Sequence, residues 1–278
     1  MTGYVLGTGS HVYEAIHPFG RLPDGMEMGN ASHVVTDSLD RVHVYRRGDP
    51  PVLVFDGDGS YIYGWGTGLI LDAHGIFIGP QDEIFLVDRD AHEILKFDRD
   101  RNVTARLGNR ERPALHDPFN HPADIAVAAN GEIFVADGYG NSRVHRFAPD
   151  GRLIMSWGTR GDGPGQFTTP HGIWAHDGKV YVCDRENNRV QVFSVDGEYL
   201  TEWGDFFHPM DIFRDSQGTF YVTDQVPRIT MLDEDGTLIS RGRTPFNGHG
   251  MWMDGHGNIY LAGNEEGVTK LAKINVPD

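Results

Sequence analysis

The sequence predicts an all-β protein, a six-bladed β-propeller running as one domain through residues 1–278, and three observations carry that expectation. A phrase that opens on histidine and ends on an acidic residue recurs as HGIFIGPQDEIFLVDRD from His74, HPADIAVAANGEIFVADGY from His121, HGIWAHDGKVYVCDREN from His171 and HPMDIFRDSQGTFYVTDQ from His208, with weaker copies around His33 and His249. The gaps between successive leading histidines are 41, 47, 50, 37 and 41 residues, which is the length of a four-stranded blade. Turns are frequent, because 36 glycines and 15 prolines in 278 residues make roughly 18%, against an average near 12%.

Within each copy the elements follow in a fixed order. An apolar alternating run, a turn carrying Gly, Asp or Asn, and a second run such as EIFLV, EIFVA, KVYVC or TFYVT read as two antiparallel strands. A third strand follows in EILKFDRD, SRVHRFAPDG, NRVQVFSVDG and RITMLDEDG, and a shorter fourth in YIYGWG, VTARLG, LIMSWG and YLTEWG. The opening segment HVYEAIHPFG resembles these fourth strands, so it is expected to complete the last blade, whose own sequence stops after LAKI. Trp65, Trp157 and Trp203 end fourth strands and read as packing between blades. The DG pairs at Asp150, Asp196 and Asp235 read as hairpin turns, and GDGPGQF reads as a blade connection, not a phosphate loop.

Charge narrows the partners. Forty acidic against 24 basic residues give a formal net charge of −16, which repels phosphate backbones and anionic membranes and favours a small-molecule substrate. No apolar run reaches the ~18 residues of a membrane span, and the first residues carry no secretory pattern, so a cytoplasmic location is expected. The single cysteine, Cys183, sits in VYVCD and reads as a buried thiol.

A histidine recurring at one position of every blade implies a ring of imidazoles about the propeller axis, although the same position also serves as a packing site. Context divides the six. His74, His171 and His249 precede glycine, whereas His121 and His208 begin HPAD and HPMD and read as structural. Three neutral imidazoles from alternate blades suit a catalytic zinc with an open fourth position, and glycine after each would let the backbone crowd the axis. Tyr139, in DGYGN, stands where sister blades carry Arg89, Arg185 and Gln225, and this departure from the repeat marks it as a candidate general base. Arg47 and Arg185 share that column and can grip a carboxylate with a planar fork; Arg89 is assigned an ordinary salt bridge. The remaining histidines, at 11, 17, 43, 92, 116, 145, 176 and 256, fall off the column and read as surface or hydrogen-bonded residues.

The repeats resemble the NHL family, and residues 120–204 resemble the peptidyl-α-hydroxyglycine α-amidating lyases and their bacterial relatives through DGYGNSRVHRF, PGQFTTPHGI, DRENNRVQVF and the upstream YRRGD. This resemblance implies a reaction that splits an N-acyl-α-hydroxyglycine into a primary amide and glyoxylate. It further implies zinc held by His74, His171 and His249, a catalytic tyrosine at Tyr139, arginines at Arg47 and Arg185, and a structural calcium in the channel. One departure stands out. Where that family places a Met-Pro pair before its third zinc histidine, this chain has Asn247-Gly248 before His249, which changes the pocket and puts a peptidyl substrate in question. Another divalent transition metal would suit the same imidazoles, and two other readings stand beside the lyase: a non-catalytic binding propeller, and a metal-dependent hydrolase or hydratase on the same three histidines.

Overall fold

The structure, a computed structural model, describes residues 3–110, 112–115 and 118–275. Its fold is all-β, a six-bladed β-propeller, with a single 3₁₀ turn at Arg185–Asn187 as the one helical element among the described residues. The chain packs as two compact units, Met1–Leu69 with Phe213–Asp278, and Ile70–Ile212, the boundary falling inside the first strand of blade five.

The second unit holds three complete blades. Blade two runs Ala73–Ile78, Ile84–Asp88, Glu93–Phe97 and Val103–Gly108; blade three Asp124–Val127, Ile133–Asp137, Arg143–Phe147 and Leu153–Trp157; blade four Pro170–His176, Lys179–Asp184, Arg189–Ser194 and Tyr199–Trp203. Every pairing within a blade is antiparallel and joins neighbours in sequence. The second strands of blades two and three are buried along their whole length and that of blade four beyond Lys179, whereas Val103–Gly108 and Tyr199–Trp203 are half exposed, because neighbouring blades cover both faces of the inner strands and leave the outer ones to solvent. Blades three and four bury a shared layer of Phe134, Val144, Phe167, Ile173, Val182 and Phe193, and Trp157 packs across it with its ring 6.4 Å from Phe134 and 5.9 Å from Phe193. Cys183 lies inside this unit, where burial pushes its thiol up and removes thiolate character. The GDGPGQF connection adds a short parallel pair, Thr159–Arg160 with Gln166–Phe167.

In the first unit, blade one comprises Asn30–Thr36, Val42–Arg47, Val52–Phe55 and Tyr61–Trp65. Blade six comprises Gly250–Met253, Ile259–Ala262 and Val268–Lys273, and the N-terminal strand His11–Ile16 pairs with Val268–Lys273 as the sequence implies, Tyr13 opposite Lys273 and Ile16 opposite Lys270. One correction is needed: Tyr4–Thr8 adds a fifth, outermost strand to this sheet, because YVLGT alternates well enough to pair with His11–Ile16 through a tight turn. The remaining blade, five, runs Pro209–Arg214, Phe220–Asp224, Arg228–Leu232 and Leu238–Arg243.

The recurrent turns have a common device. Asp215, Asp233 and Asp254 each accept the backbone N–H groups two and four residues on, and the glycine three residues on takes the positive φ that closes the turn: 97° at Gly218, 81° at Gly236 and 81° at Gly257. Asp37 does the same in blade one and also accepts from Arg41 Nε at 2.7 Å and His43 Nε2 at 3.1 Å. Burial alone would raise this carboxyl, but the hydrogen bonds from His43 and Arg41 outweigh it and pull it down to about 2. A carboxyl whose folded pKa is depressed stabilises above its unfolded value of 3.8 and loses that contribution as pH falls through about 2. Asp37→Asn is therefore expected to lower stability by about 1–2 kcal/mol at neutral pH, after discounting for solvent screening, and by progressively less between pH 4 and 2. Urea melts of both proteins across that range check it; a gap independent of pH would contradict it.

Candidate metal centre

Strand registers decide which residues share a position. Ile76 pairs with Leu86, Ile125 with Val135 and Ile173 with Val182, so the equivalent residue two places earlier is His74 in blade two, Ala123 in blade three and His171 in blade four. In the first unit, Val34 pairs with Val44 and Met251 with Leu261, which puts Ser32 and His249 at the same place. The ladder agrees, since Ala123 N–H donates to Ala136 O at 2.8 Å and His249 N–H to Ala262 O at 2.7 Å. The HPMDI phrase of blade five supplies Met210. The column therefore reads Ser32, His74, Ala123, His171, Met210, His249, with histidine in alternate blades.

This corrects the reading of six histidines in one column. His121 and His208 stand two residues ahead, in the entry turn, with left-handed φ of 61° and 50°, and His33 stands one residue behind. The phrase match follows the first histidine it meets, whereas the ladder fixes the position of the strand. His121 packs edge-on against His92, with ring centroids 4.2 Å apart, and burial lowers the His92 pKa. His208 stacks on Phe207 and lies 3.4 Å from Glu186. His43 and His145 are buried and donate to Asp37 and Asp137, so these two are hydrogen-bonded residues as expected. His116 lies outside the described residues.

His74, His171 and His249 are 1%, 2% and 6% exposed, and each is held in one way. His74 Nδ1 donates to Ala123 O at 2.6 Å, His171 Nδ1 to Met210 O at 2.7 Å, and His249 Nδ1 to Ser32 O at 2.7 Å. A carbonyl oxygen only accepts, so Nδ1 carries the hydrogen and Nε2 keeps its lone pair. The following glycines are required by close approach. A Cβ on Gly75 would lie 2.6 Å from Asp124 Oδ1, on Gly172 2.7 Å from Asp211 Cα, and on Gly250 2.6 Å from His33 Cγ.

Within the second unit, Tyr139 Oη lies 2.9 Å from His74 Nε2 and 3.0 Å from His171 Nε2, and the two imidazole centroids are 5.0 Å apart. Arg185 Nη1 donates to the same oxygen at 3.3 Å. Two imidazole lone pairs thus face one hydroxyl proton, and only one can be satisfied by it. Neutral Nε2 donors with Nδ1–H fixed by main-chain oxygen are the donor set a divalent zinc takes, and a phenol beside them suits a base or a further ligand. The residues present fit the metal.

Arg89 was assigned only a salt bridge, and the structure adds a role. It pairs with Asp72 and Asp90, and these bonds outweigh burial to raise its pKa, while its guanidinium also stands 5.2 Å from the Tyr139 ring centroid. Arg185 stands 5.3 Å from the same ring, so two cations attend the tyrosine. The signal was in the sequence: both arginines follow a strand-ending aspartate, Asp88 or Asp184. Arg47 and His249 belong to the first unit, where Arg47 donates to Asn30 and Asn264.

A six-bladed β-propeller bearing NHL repeats is the class these features define. The NHL repeat model matches residues 119–147 and 167–193, that is, blades three and four. Human NHL repeat-containing protein 3 is 31% identical over 196 residues, 64% of this chain and 56% of that protein. A probable peptidyl-alpha-hydroxyglycine alpha-amidating lyase from Caenorhabditis elegans is 36% identical over 137 residues, 47% of this chain and 39% of its own length. The chain thus spans about half or less of these curated relatives. Among solved structures, a gluconolactonase from Xanthomonas campestris superposes with a TM-score of 0.72 at 15% identity, over 95% of this chain and 90% of that one, a likeness of fold.

Protein purified without added metal or affinity histidines is expected to carry roughly one equivalent of a divalent transition metal, and His74→Ala or His171→Ala to lose most of it. Elemental analysis settles this, and metal retained in both variants would exclude the site.

Proposed function

We propose that the protein is a metal-dependent lyase that cleaves the C–N bond of an α-hydroxy-amide, an N-acyl-α-hydroxyglycine or a close analogue, to an amide and glyoxylate or a related carbonyl product. The observation that carries this reading is the convergence of His74 Nε2, His171 Nε2 and Arg185 Nη1 on the hydroxyl of Tyr139. His249 is proposed as the third imidazole of the same buried group, since it shares the column, the following glycine and the Nδ1 anchor of the other two. Similarity to amidating lyases gives the reaction class independent support.

Zinc bound to these imidazoles supplies a Lewis acid that polarises substrate oxygen and favours charge developing on it. The protein's own part is proton handling and orientation. Tyr139 acts as the phenolate, its own proton having left beforehand with the Arg185 guanidinium beside the oxygen to favour the anion; it accepts the proton of the substrate's α-hydroxyl and becomes the neutral phenol. As the C–O bond becomes C=O, the C–N bond breaks, its electron pair leaves with nitrogen, and the proton is delivered to that nitrogen to complete the amide. The proposal assigns the substrate carboxylate to Arg47, whose fork can hold two oxygens. Arg89 and Arg185, both within about 5 Å of the Tyr139 ring centroid, keep the phenol aligned.

Metal-loaded protein is expected to release glyoxylate from N-benzoyl-α-hydroxyglycine, and Tyr139→Phe to lower kcat by about 10²- to 10⁴-fold while retaining the metal. Glyoxylate trapping with a hydrazine, run beside elemental analysis, reads both. No glyoxylate from the fully loaded protein would overturn the lyase reading.

A further inference from the structure

Tyr139 also lines a second cavity of about 260 Å³, formed with Leu115, Asn141, Arg143, Arg160 and Thr168. Its two arginines are unusual for this chain. On the third strand of blade four, Arg189 is tied by Asp184, by Glu202 and by the carbonyls of Gly163 and Gln166. In blade five, Arg228 is tied by Asp224. Arg143 occupies the rung of Arg189, opposite Asp137 as Arg189 is opposite Asp184, yet none of those bonds forms. Both oxygens of Asp137 are engaged by Asn120 N–H, and its Oδ2 also accepts from Asn141 Nδ2 at 2.7 Å and His145 Nε2 at 3.1 Å. Where blade four has Glu202 opposite Gln191, blade three has Ser156 opposite His145. Arg143 is left with no hydrogen bond or ion pair among the described residues, and its Nε is buried without a partner. Arg160, exposed in the lining of the cavity, likewise forms no ion pair among the described residues.

In a chain with 40 acidic residues, two guanidiniums lining one cavity without an ion pair among the described residues mark a place suited to an anion. We propose that this cavity binds an anionic group, a carboxylate or phosphate, carried on the acyl side of the substrate. The proposal takes the lyase reading as its chemistry and adds the substrate class: a small acyl chain ending in negative charge, in place of a neutral peptide. The cavity has room for such a terminus and a few methylenes. Tyr139, shared by both sites, places the anion on one side of the phenol and the scissile bond on the other.

The test compares N-succinyl-α-hydroxyglycine with its succinamoyl isostere, which differs in the terminal charge alone, on the metal-loaded wild type, Arg143→Gln, Arg143→Lys and Arg160→Gln. The wild type is expected to prefer the succinyl compound at least tenfold in kcat/KM. Arg143→Gln should collapse that preference through KM, and Arg143→Lys should restore part of it. A preference unchanged in Arg143→Gln, or an equal loss on both substrates, overturns the proposal. Binding of free glutarate, followed by calorimetry, separates this failure from that of the lyase reading. Arg143-dependent binding without turnover of either compound leaves the anion site and removes the lyase; turnover without glutarate binding in the wild type removes the anion site alone.

Discussion

The hydrogen bond from a histidine Nδ1 to the main-chain oxygen of the next blade is the constraint on which the centre depends. It appears three times, from His74 to Ala123, His171 to Met210 and His249 to Ser32, and in each case the acceptor is the residue of the same column one blade further on. A single contact therefore does two things. It links the innermost strands of adjacent blades, and it fixes the imidazole as the tautomer whose Nε2 lone pair is free to bind. Repacking an inner strand would release the ring as well, so fold and site cannot vary separately.

The neighbouring column explains why histidine alternates. Glycine follows each anchored histidine, and the blade after it carries a larger residue at that position: Asp124 after Gly75, Asp211 after Gly172, His33 after Gly250. A side chain on any of these glycines would collide with that neighbour. Placing an anchored histidine in every blade would demand glycine in every blade and leave the innermost ladder without side chains to fill it, which packing density forbids. Alternation of small and large is a packing solution, and histidine in every other blade follows from it.

Much of this was legible from the residues, and the illegible part has a physical origin. Blade number, strand order, the closing N-terminal strand and the candidates His74, His171, Tyr139 and Arg185, which the structure brings together, were legible, because period-2 alternation and the HG phrase are local signals. The column itself could not. His121 and His208 share a phrase with the anchored histidines but lie two rungs off it, and a one-residue slip of register leaves a hydrophobic pattern of this length nearly unchanged when both faces are buried. Arg89 forms the salt bridges expected of it, and its second contact is illegible for a related reason: a salt bridge and a cation over a ring are compatible, and sequence registers only the first.

Blade three differs from its neighbours by one residue, and that residue sets the place of Tyr139. Between the strand-ending aspartate and the first residue of the third strand, blade four has four residues, Arg185 to Asn188, whereas blade three has five, Gly138 to Ser142. The extra one is Gly138, where a Cβ would lie 1.9 Å from Pro170 O, so no other residue fits without moving blade four. With Gly138 inserted, Tyr139 N–H donates to His121 O just as Arg89 N–H donates to Asp72 O and Arg185 N–H to Thr169 O. The phenol thereby takes the arginine's place in the turn, and its hydroxyl reaches the imidazoles of blades two and four. The asparagine contact is common to both blades, Asn141 to Asp137 and Asn187 to Asp184, so it does not account for the different surroundings of Arg143 and Arg189. One inserted glycine thus accounts for the tyrosine that faces the imidazoles of blades two and four.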